Sequence, residues 1–335
     1  SHLPDVPGAV IHTGGADLGG GDAQTATTAM AAITAAAGTI YERVQPDTIL
    51  VMGDRLDMLP AAVAGLPFNI VIVHLHGGEI TEGALDDRAR HALTKLAHFH
   101  CVSSEGAKRQ LIAMGEEPSR IALTGAPGID TLLSAAPMTR RQWLEAVGFD
   151  QEPEDTPLRL VTVHPETNSA NAAAPLCAVV KALDAVPQPT LFTAPNSDPG
   201  GAAMRQAING YVAARRWARF RDTLGPVLYP NALRHASIMI GNSSSGIIEA
   251  ATFGLPVIDV GGRQKGREAG ENVIRVEANE VDIISAMKRV DARKSRFGTH
   301  NIYGDGHAGP RVAEVLQGLH RHDDLRRKTI FVGHS

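Results

Sequence analysis

The sequence predicts an α/β protein of two similar halves, each a parallel sheet covered by helices on both faces, with a cleft between them. Three observations carry this. Short runs rich in β-branched residues alternate with helix-like stretches along most of the chain, the pattern of strands buried on both faces. The alternation breaks once, over residues 134–158, and then resumes. And 335 residues is more than one hydrophobic core usually serves, so two domains are expected.

The opening "SHLPDVPGAVIHTGGADLGGGDAQ" is rich in glycine and proline and shows no strand pattern. The first ordered element is therefore expected to be the Ala-rich helix over 25–44, stopped by Pro46. Strands follow at 48–54, 69–77, 98–104 and 120–125, with helices over 87–97 and 105–115 between them. The stretch 134–158 holds three prolines and an acidic patch and reads as a boundary. It divides a first domain (1–145) from a second (155–307). Strands resume at 158–165, 190–196, 236–244 and 255–262, and Pro310 marks the start of a last helix within 308–335.

Bulk properties narrow the function. A net charge of −4 gives no whole-protein attraction to nucleic acid or anionic membrane, so any anion site must be local. Cys101 and Cys177 are too far apart in sequence to form a disulfide framework or a zinc knuckle. No run of apolar residues is long enough to span a membrane and no charged-then-apolar leader opens the chain. A cytoplasmic location with neither nucleic-acid nor membrane partner is expected.

The strand ends carry the chemistry. Asp54 and Arg55 end one strand and His76 the next; His164, Asn196, and Asn242 with Ser243 end three in the second half. Ligands of open parallel sheets bind outside the carboxyl ends of the strands, so five polar ends point to one cleft. In "IGNSSSGIIEAATFG" (240–254) a strand runs through Asn-Ser-Ser-Ser-Gly into a helix, where free N–H groups suit a phosphate; a plain N-cap explains the same residues. Glu249 could accept bonds from a ribose or be an ordinary helix carboxylate. Arg263, Lys265 and Arg267 follow another strand end and offer cations to a pyrophosphate, although a solvated basic loop is the blander reading. "HLHGGEITEGALDD" (74–87) reads as a metal cage, a set of acids and bases, or a polar loop. His74 and His76, two apart on a strand, share a face and could ligate one ion with Asp54 or Asp86. His91, His98 and His100 are expected to be helix-face or core histidines, and Asp57 and Asp87 caps or ion-pair partners.

Taken with "GDRLDML", "TGAPGID", "VTVHPET", "GNSSSGIIEAATFGLPVIDVGGRQKGREAGENVI" and "NIYGDGHAGPRV", this loop resembles the hydrolysing nucleotide-sugar 2-epimerases that begin sialic-acid-type biosynthesis. The resemblance runs from about Asp47 to Arg311. It implies a glycosyltransferase-B-like fold of two Rossmann-like domains, with a C-terminal helix that crosses back to the first. It implies a substrate of UDP- or GDP-linked 2-acetamido sugar, no cofactor, no metal, and a homodimer. Family members also carry an earlier strand with a Gly-x-Arg-Ala-Asp loop. "SHLPD" resembles the segment after the family's second strand, so the start of the first domain is expected to be absent from this sequence.

By the same resemblance Asp54 and Asp86 are acid/base carboxylates and His164 lies near the sugar and diphosphate. The remaining catalytic position falls to Glu79 first and His76 second. Ser243 and Ser244 match phosphate binders, Glu249 a ribose binder and Arg263 a diphosphate-side arginine. Arg55, Asn196, Asn242, Ser245 and Gly246 complete the expected binding set. Three enzyme rivals stand beside this reading: a metal-dependent hydrolase, a retaining glycosyltransferase of the same fold, and a non-hydrolysing epimerase, whose Glu-Ala-Gly loop differs from "HGGEITEGALDD". A non-enzymatic nucleotide-sugar sensor is the fourth.

Overall fold

The computed structural model describes residues 23–332, apart from 83–85, 168, 170, 197, 199, 294, 322 and 323. Helices and strands alternate in the first half: α1 (Ala23–Val44), β1 (Thr48–Met52), α2 (Met58–Gly65), β2 (Val71–Leu75), α3 (Asp86–Leu96), β3 (Phe99–Val102), α4 (Glu105–Ala113), β4 (Ile121–Leu123) and α5 (Pro127–Ser134). Then come α6 (Arg140–Val147), β5 (Arg159–Thr162), α7 (Ala174–Ala185), β6 (Thr190–Thr193), α8 (Gly201–Ala213), β7 (Ala218–Arg221), α9 (Gly225–His235), β8 (Ile238–Gly241) and α10 (Ser244–Ile248). The chain closes with β9 (Val257–Val260), β10 (Val273–Val276), α11 (Glu280–Asp291) and α12 (Ala308–Gly318).

The strands form two separate sheets, parallel throughout. The first has the order β1-β2-β3-β4, the second β10-β9-β8-β5-β6-β7. The fold is α/β with two Rossmann-like sheets, as expected. Every residue of β2, β3, β5, β6, β8 and β9 is buried, which is why these segments read as largely apolar runs rather than alternating ones. Strand order in the second sheet reverses between β5 and β8, and such a reversal opens a crevice at the carboxyl ends of the two strands.

Some elements were not legible. β7 reads "ARFR" and β10 "VIRV", too charged to stand out as strands. The stretch taken as a boundary carries α6, opened by a capping box between Thr139 and Gln142. Its Trp143, Leu144 and Val147 are wholly buried beside Leu158, Leu160 and Leu191 of the second half.

Several contacts tie the halves together. Val312 and Leu319, in and just after α12, pack on Val71, Val73, Leu75, Phe99 and Cys101 of the first sheet, and burying a side chain of this size contributes about 1.5–3 kcal/mol. Asp130 of α5 accepts bonds from the N–H groups of Ala308 (3.0 Å) and Gly309 (2.7 Å), satisfying the free donors that begin α12. Tyr303 is buried between the halves. Its carbonyl accepts from the Ala126 N–H at 2.7 Å, and its hydroxyl donates to the Glu268 carbonyl at 2.6 Å. Among the described residues, no helix is long and apolar enough to cross a membrane.

Candidate active site

The site is built at the carboxyl edges of both sheets. After β1 the chain turns at Gly53, whose φ of +75° suits glycine and whose N–H bonds to the Leu75 carbonyl at 2.9 Å. That turn lifts Asp54 to the sheet edge, where it forms an ion pair with Arg90 of α3. Arg90 is 1% exposed and also donates to the Glu79 carbonyl (2.8 Å), the Thr81 hydroxyl (3.1 Å) and Asp87 (2.8 Å). One guanidinium thus fastens a strand end, the following loop and a helix start. Asp86 begins α3. Burial and the Asp54 and Asp198 carboxylates push its carboxyl up to about 6, against the pull of Arg263 and Arg90. Arg55 is exposed and pairs with Asp57 at 2.9 Å.

The two histidines of β2 and its end part company. His74 is wholly buried and its Nε2 donates to the Gly53 carbonyl at 2.8 Å. Burial drives its ring down to about 3, so it stays neutral. His76 has φ of +61° and so leaves the strand geometry. The shared face expected for the pair is lost, and among the described residues no group of three or more His, Cys, Asp or Glu side chains is placed to hold a metal ion. His76 Nδ1 lies 2.7 Å from Glu79 Oε1, and the ring keeps an 18% exposed side chain. Glu79 itself does not face open space. The Ser103 hydroxyl donates to Oε1 at 2.6 Å, and Arg267, from the second half, lies 3.2 Å from Oε2. Although burial alone would raise it, Arg267, His76 and Ser103 hold the Glu79 carboxyl well below the usual carboxylate range.

In the second half, Asn242 pins the crevice between β5 and β8. Its Oδ1 accepts from the His164 N–H (2.7 Å) and its Nδ2 donates to the His164 carbonyl (2.9 Å). Wholly buried and with both amide atoms engaged, Asn242 is placed as a clamp for His164 rather than as a contact surface for a ligand. His164 Nδ1 accepts the Asn196 backbone N–H at 3.0 Å. Burial, helped by Arg263, pushes the ring down to about 4. The neutral ring must then carry its proton on Nε2, which makes it a hydrogen-bond donor rather than a base. The Asn196 side chain donates to Asp198, and Arg263 lies 3.4 Å from the same carboxylate. Glu166 fixes the Arg263 loop by accepting the N–H groups of Gly262 (2.7 Å) and Arg263 (3.1 Å).

The serine loop adopts an N-cap: the Ser243 hydroxyl accepts from the Ser245 N–H and lies 3.0 Å from the Ser245 hydroxyl. The helix it starts is shorter than expected, passing after Ile248 into a tighter turn at Ala250–Phe253. Ser243, Ser244 and Ser245 are half-buried. Gly246 faces inward, since a Cβ there would come within 2.9 Å of Val257 Cγ1. It serves packing against β9. Burial raises the Glu249 carboxyl to about 7 despite the Tyr229 hydroxyl beside it, and a Cβ on Gly128 of α5 would lie 3.5 Å from Glu249 Oε1.

The structure therefore brings Asp54, Asp86, His164 and Arg263 into one electrostatic neighbourhood and sets Glu79 behind it. Arg90, Ser103, Glu166, Asp198 and the role of Arg267 were not legible in the sequence, because each acts through a partner distant in the chain. His91, His98 and His100 are engaged with Asp87 (3.3 Å), the Ile72 N–H (3.1 Å) and Glu116 (3.0 Å), as structural histidines should be.

Residues 9–317 match the family model described as UDP-N-acetylglucosamine 2-epimerase. The chain is 36% identical over 290 residues to a UDP-N,N'-diacetylbacillosamine 2-epimerase (hydrolyzing) of Legionella pneumophila, covering 86% of this chain and 75% of that one. It is 34% identical over 257 residues to a GDP/UDP-N,N'-diacetylbacillosamine 2-epimerase (hydrolyzing) of Campylobacter jejuni, covering 76% and 66%. The fold is similar to that of the Neisseria meningitidis UDP-GlcNAc 2-epimerase solved bound to UDP-GlcNAc, with a TM-score of 0.76 at 17% identity over 87% of this chain and 81% of that one. The chain belongs to the UDP-N-acetylglucosamine 2-epimerase family.

Proposed function

We propose that this protein is a hydrolysing nucleotide-sugar 2-epimerase, which converts an NDP-linked 2-acetamido sugar into the free 2-epimer and NDP. The C2–H and C1–O bonds break, a C1=C2 bond forms, and NDP departs. Water then adds its hydroxyl to C1 while C2 regains a proton on the opposite face. The C2 proton is weakly acidic, so the chemistry needs a positioned base and a stabilised leaving group.

The observation that carries the reading is the Asp54–Asp86–Asp198 grouping beside Arg263. With its carboxyl near 6, Asp86 can both take and return a proton near neutrality. Arg263, the serine loop and the His164 Nε2–H supply donors suited to a diphosphate. Of the two candidates for the remaining position, His76 is partly exposed, whereas both Glu79 oxygens are engaged. His76 is the one that meets the sugar.

The hydrolysing relatives favour a UDP- or GDP-linked 2,4-diacetamido sugar as substrate, with UDP-linked N-acetylglucosamine next. The role is an early step towards a sialic-acid-type sugar, carried out in the cytoplasm by a homodimer. The test incubates the protein in D2O with the UDP- and GDP-linked forms of both sugars and follows products by NMR. Free 2-epimer with deuterium at C2, plus NDP, is expected from at least one donor without an acceptor. An NDP-linked epimer would indicate the non-hydrolysing reaction. Transfer only to an added acceptor would indicate a glycosyltransferase, and the absence of turnover a sensor.

A further inference from the structure

The loop 261–268 carries two arginines four residues apart, and they face different tasks. Arg263 lies at Asp198 in the crevice, whereas Arg267 crosses to the first half and meets Glu79. The loop is held at both ends. Glu166 accepts its first N–H groups; Glu268 accepts from the Ser104 hydroxyl (2.8 Å) and the Gly106 N–H (3.1 Å) across the seam. Between these points the Glu82 N–H donates to the Lys265 carbonyl at 3.2 Å. Two glycines allow the close passage. A Cβ on Gly106 would lie 2.2 Å from Glu268 Oε2, and one on Gly266 would lie 2.7 Å from Ile80 Cγ2.

Glu79 is where this seam reaches the chemistry. One buried carboxylate is shared by His76 and Ser103 of its own half and Arg267 of the other. Since Glu79 stays ionised, it can only accept, so His76 Nδ1 must carry the proton in that bond. With Nδ1 committed to Glu79, the ring has only Nε2 left to accept a proton, the arrangement a general base needs. A carboxylate behind an imidazole that fixes tautomer and orientation is the logic of hydrolase triads; here the carboxylate is itself fixed from across the domain seam.

We propose that Arg267 is a positioning residue: it holds Glu79 in the seam, Glu79 holds His76, and closure of the two halves thereby orients the imidazole for proton transfer. This rests on the epimerase reading and adds a residue that never touches the substrate. The same loop carries Arg263, so the arginine beside Asp198 in the crevice and the arginine that holds Glu79 are fixed on one short stretch of backbone.

The test compares wild type with R267M, R267K, E79Q and the R267M/E79Q double variant. R267M should lower kcat by about 10²-fold, with KM within about threefold, because an orienting group and not a binding group is lost. R267K, which keeps the charge without the fork, should recover to within about tenfold of wild type. The double variant should fall no further than E79Q alone, since both substitutions cut one chain of contacts. A loss confined to KM would make Arg267 a substrate contact and overturn the proposal, as would multiplying losses in the double variant or wild-type kcat in R267M. A readout independent of turnover is the His76 Nδ1 proton, followed by ¹⁵N-edited NMR. It should be present and slow to exchange in wild type and lost in R267M. Its absence from wild type, or its survival in R267M, refutes the latch. Because the wild-type signal is required in any case, the proposal remains exposed even if R267M fails to fold. If wild type turns over no donor, the epimerase reading has failed, and the proton signal still decides the latch.

Discussion

Replacing Arg90 by methionine should destabilise the protein substantially. The side chain is 1% exposed and its guanidinium bonds to Asp54, Asp87 (2.8 Å), the Thr81 hydroxyl (3.1 Å) and the Glu79 carbonyl (2.8 Å). Methionine fills much of the volume but leaves two carboxylates facing an apolar group. Removing one side of a buried ion pair typically costs about 3–5 kcal/mol. The Asp54 and Asp87 side chains are 28% and 20% exposed, so water recovers part of the loss and the lower figure, about 3 kcal/mol, applies. At about 2–4 °C per kcal/mol for a domain of this class, Tm should fall by roughly 6–12 °C at pH 7. R90K should recover little, since a lysine offers no planar fork to span Asp54, Asp87 and the 79–81 loop together. The assay is thermal unfolding by circular dichroism and calorimetry, with R90M/D87N as a third variant. Removing the Asp87 charge should return part of the lost stability, because one orphaned carboxylate is gone. An R90M Tm within about 2 °C of wild type would refute the reasoning.

Three other outcomes are expected. With Asp86 near 6 because of burial, Asp54 and Asp198, kcat/KM should fall below about pH 6; D54N removes one like charge and should move that limb to lower pH. A limb unmoved in D54N would exclude Asp86 as its source. For Glu249, a folded value of about 7 against an ordinary 4.5 means that the folded state holds the proton more tightly than the unfolded chain. Its contribution is therefore fully present below pH 4.5 and lost as pH rises through 7, at most about 3 kcal/mol. E249Q should raise the unfolding temperature of the ligand-free protein at pH 8 and leave it unchanged at pH 4; no gain at pH 8 would contradict the buried carboxylate. Finally, turnover should survive EDTA, whereas loss in EDTA with recovery on adding zinc would revive the metal reading of His74 and His76.

The legibility of the fold followed burial. β2, β3, β5, β8 and β9 are covered on both faces, and so their apolar runs stand out in one dimension. β7 has Arg219 and Arg221 in a four-residue strand, half-exposed at the edge of its sheet, and no apolar pattern marks it. α6 was hidden for another reason. Its flanking prolines and acids resemble a linker, while the burial of Trp143 that makes it a core helix exists only after the second sheet has formed.

By itself the sequence determined the class of fold, the family and the set of strand ends from which a site could be built, because these depend on local periodicity and on motifs contiguous in the chain. Which of those residues face the cleft was decided only by tertiary structure. His74 and His76 are two residues apart, yet a single positive φ separates a neutral buried ring from one held at the strand end. Glu79 looks like an acid of the loop until Arg267 arrives from 188 residues away, that is 267 − 79. Charge pairing across a domain seam depends on distance in space, and sequence spacing does not encode it.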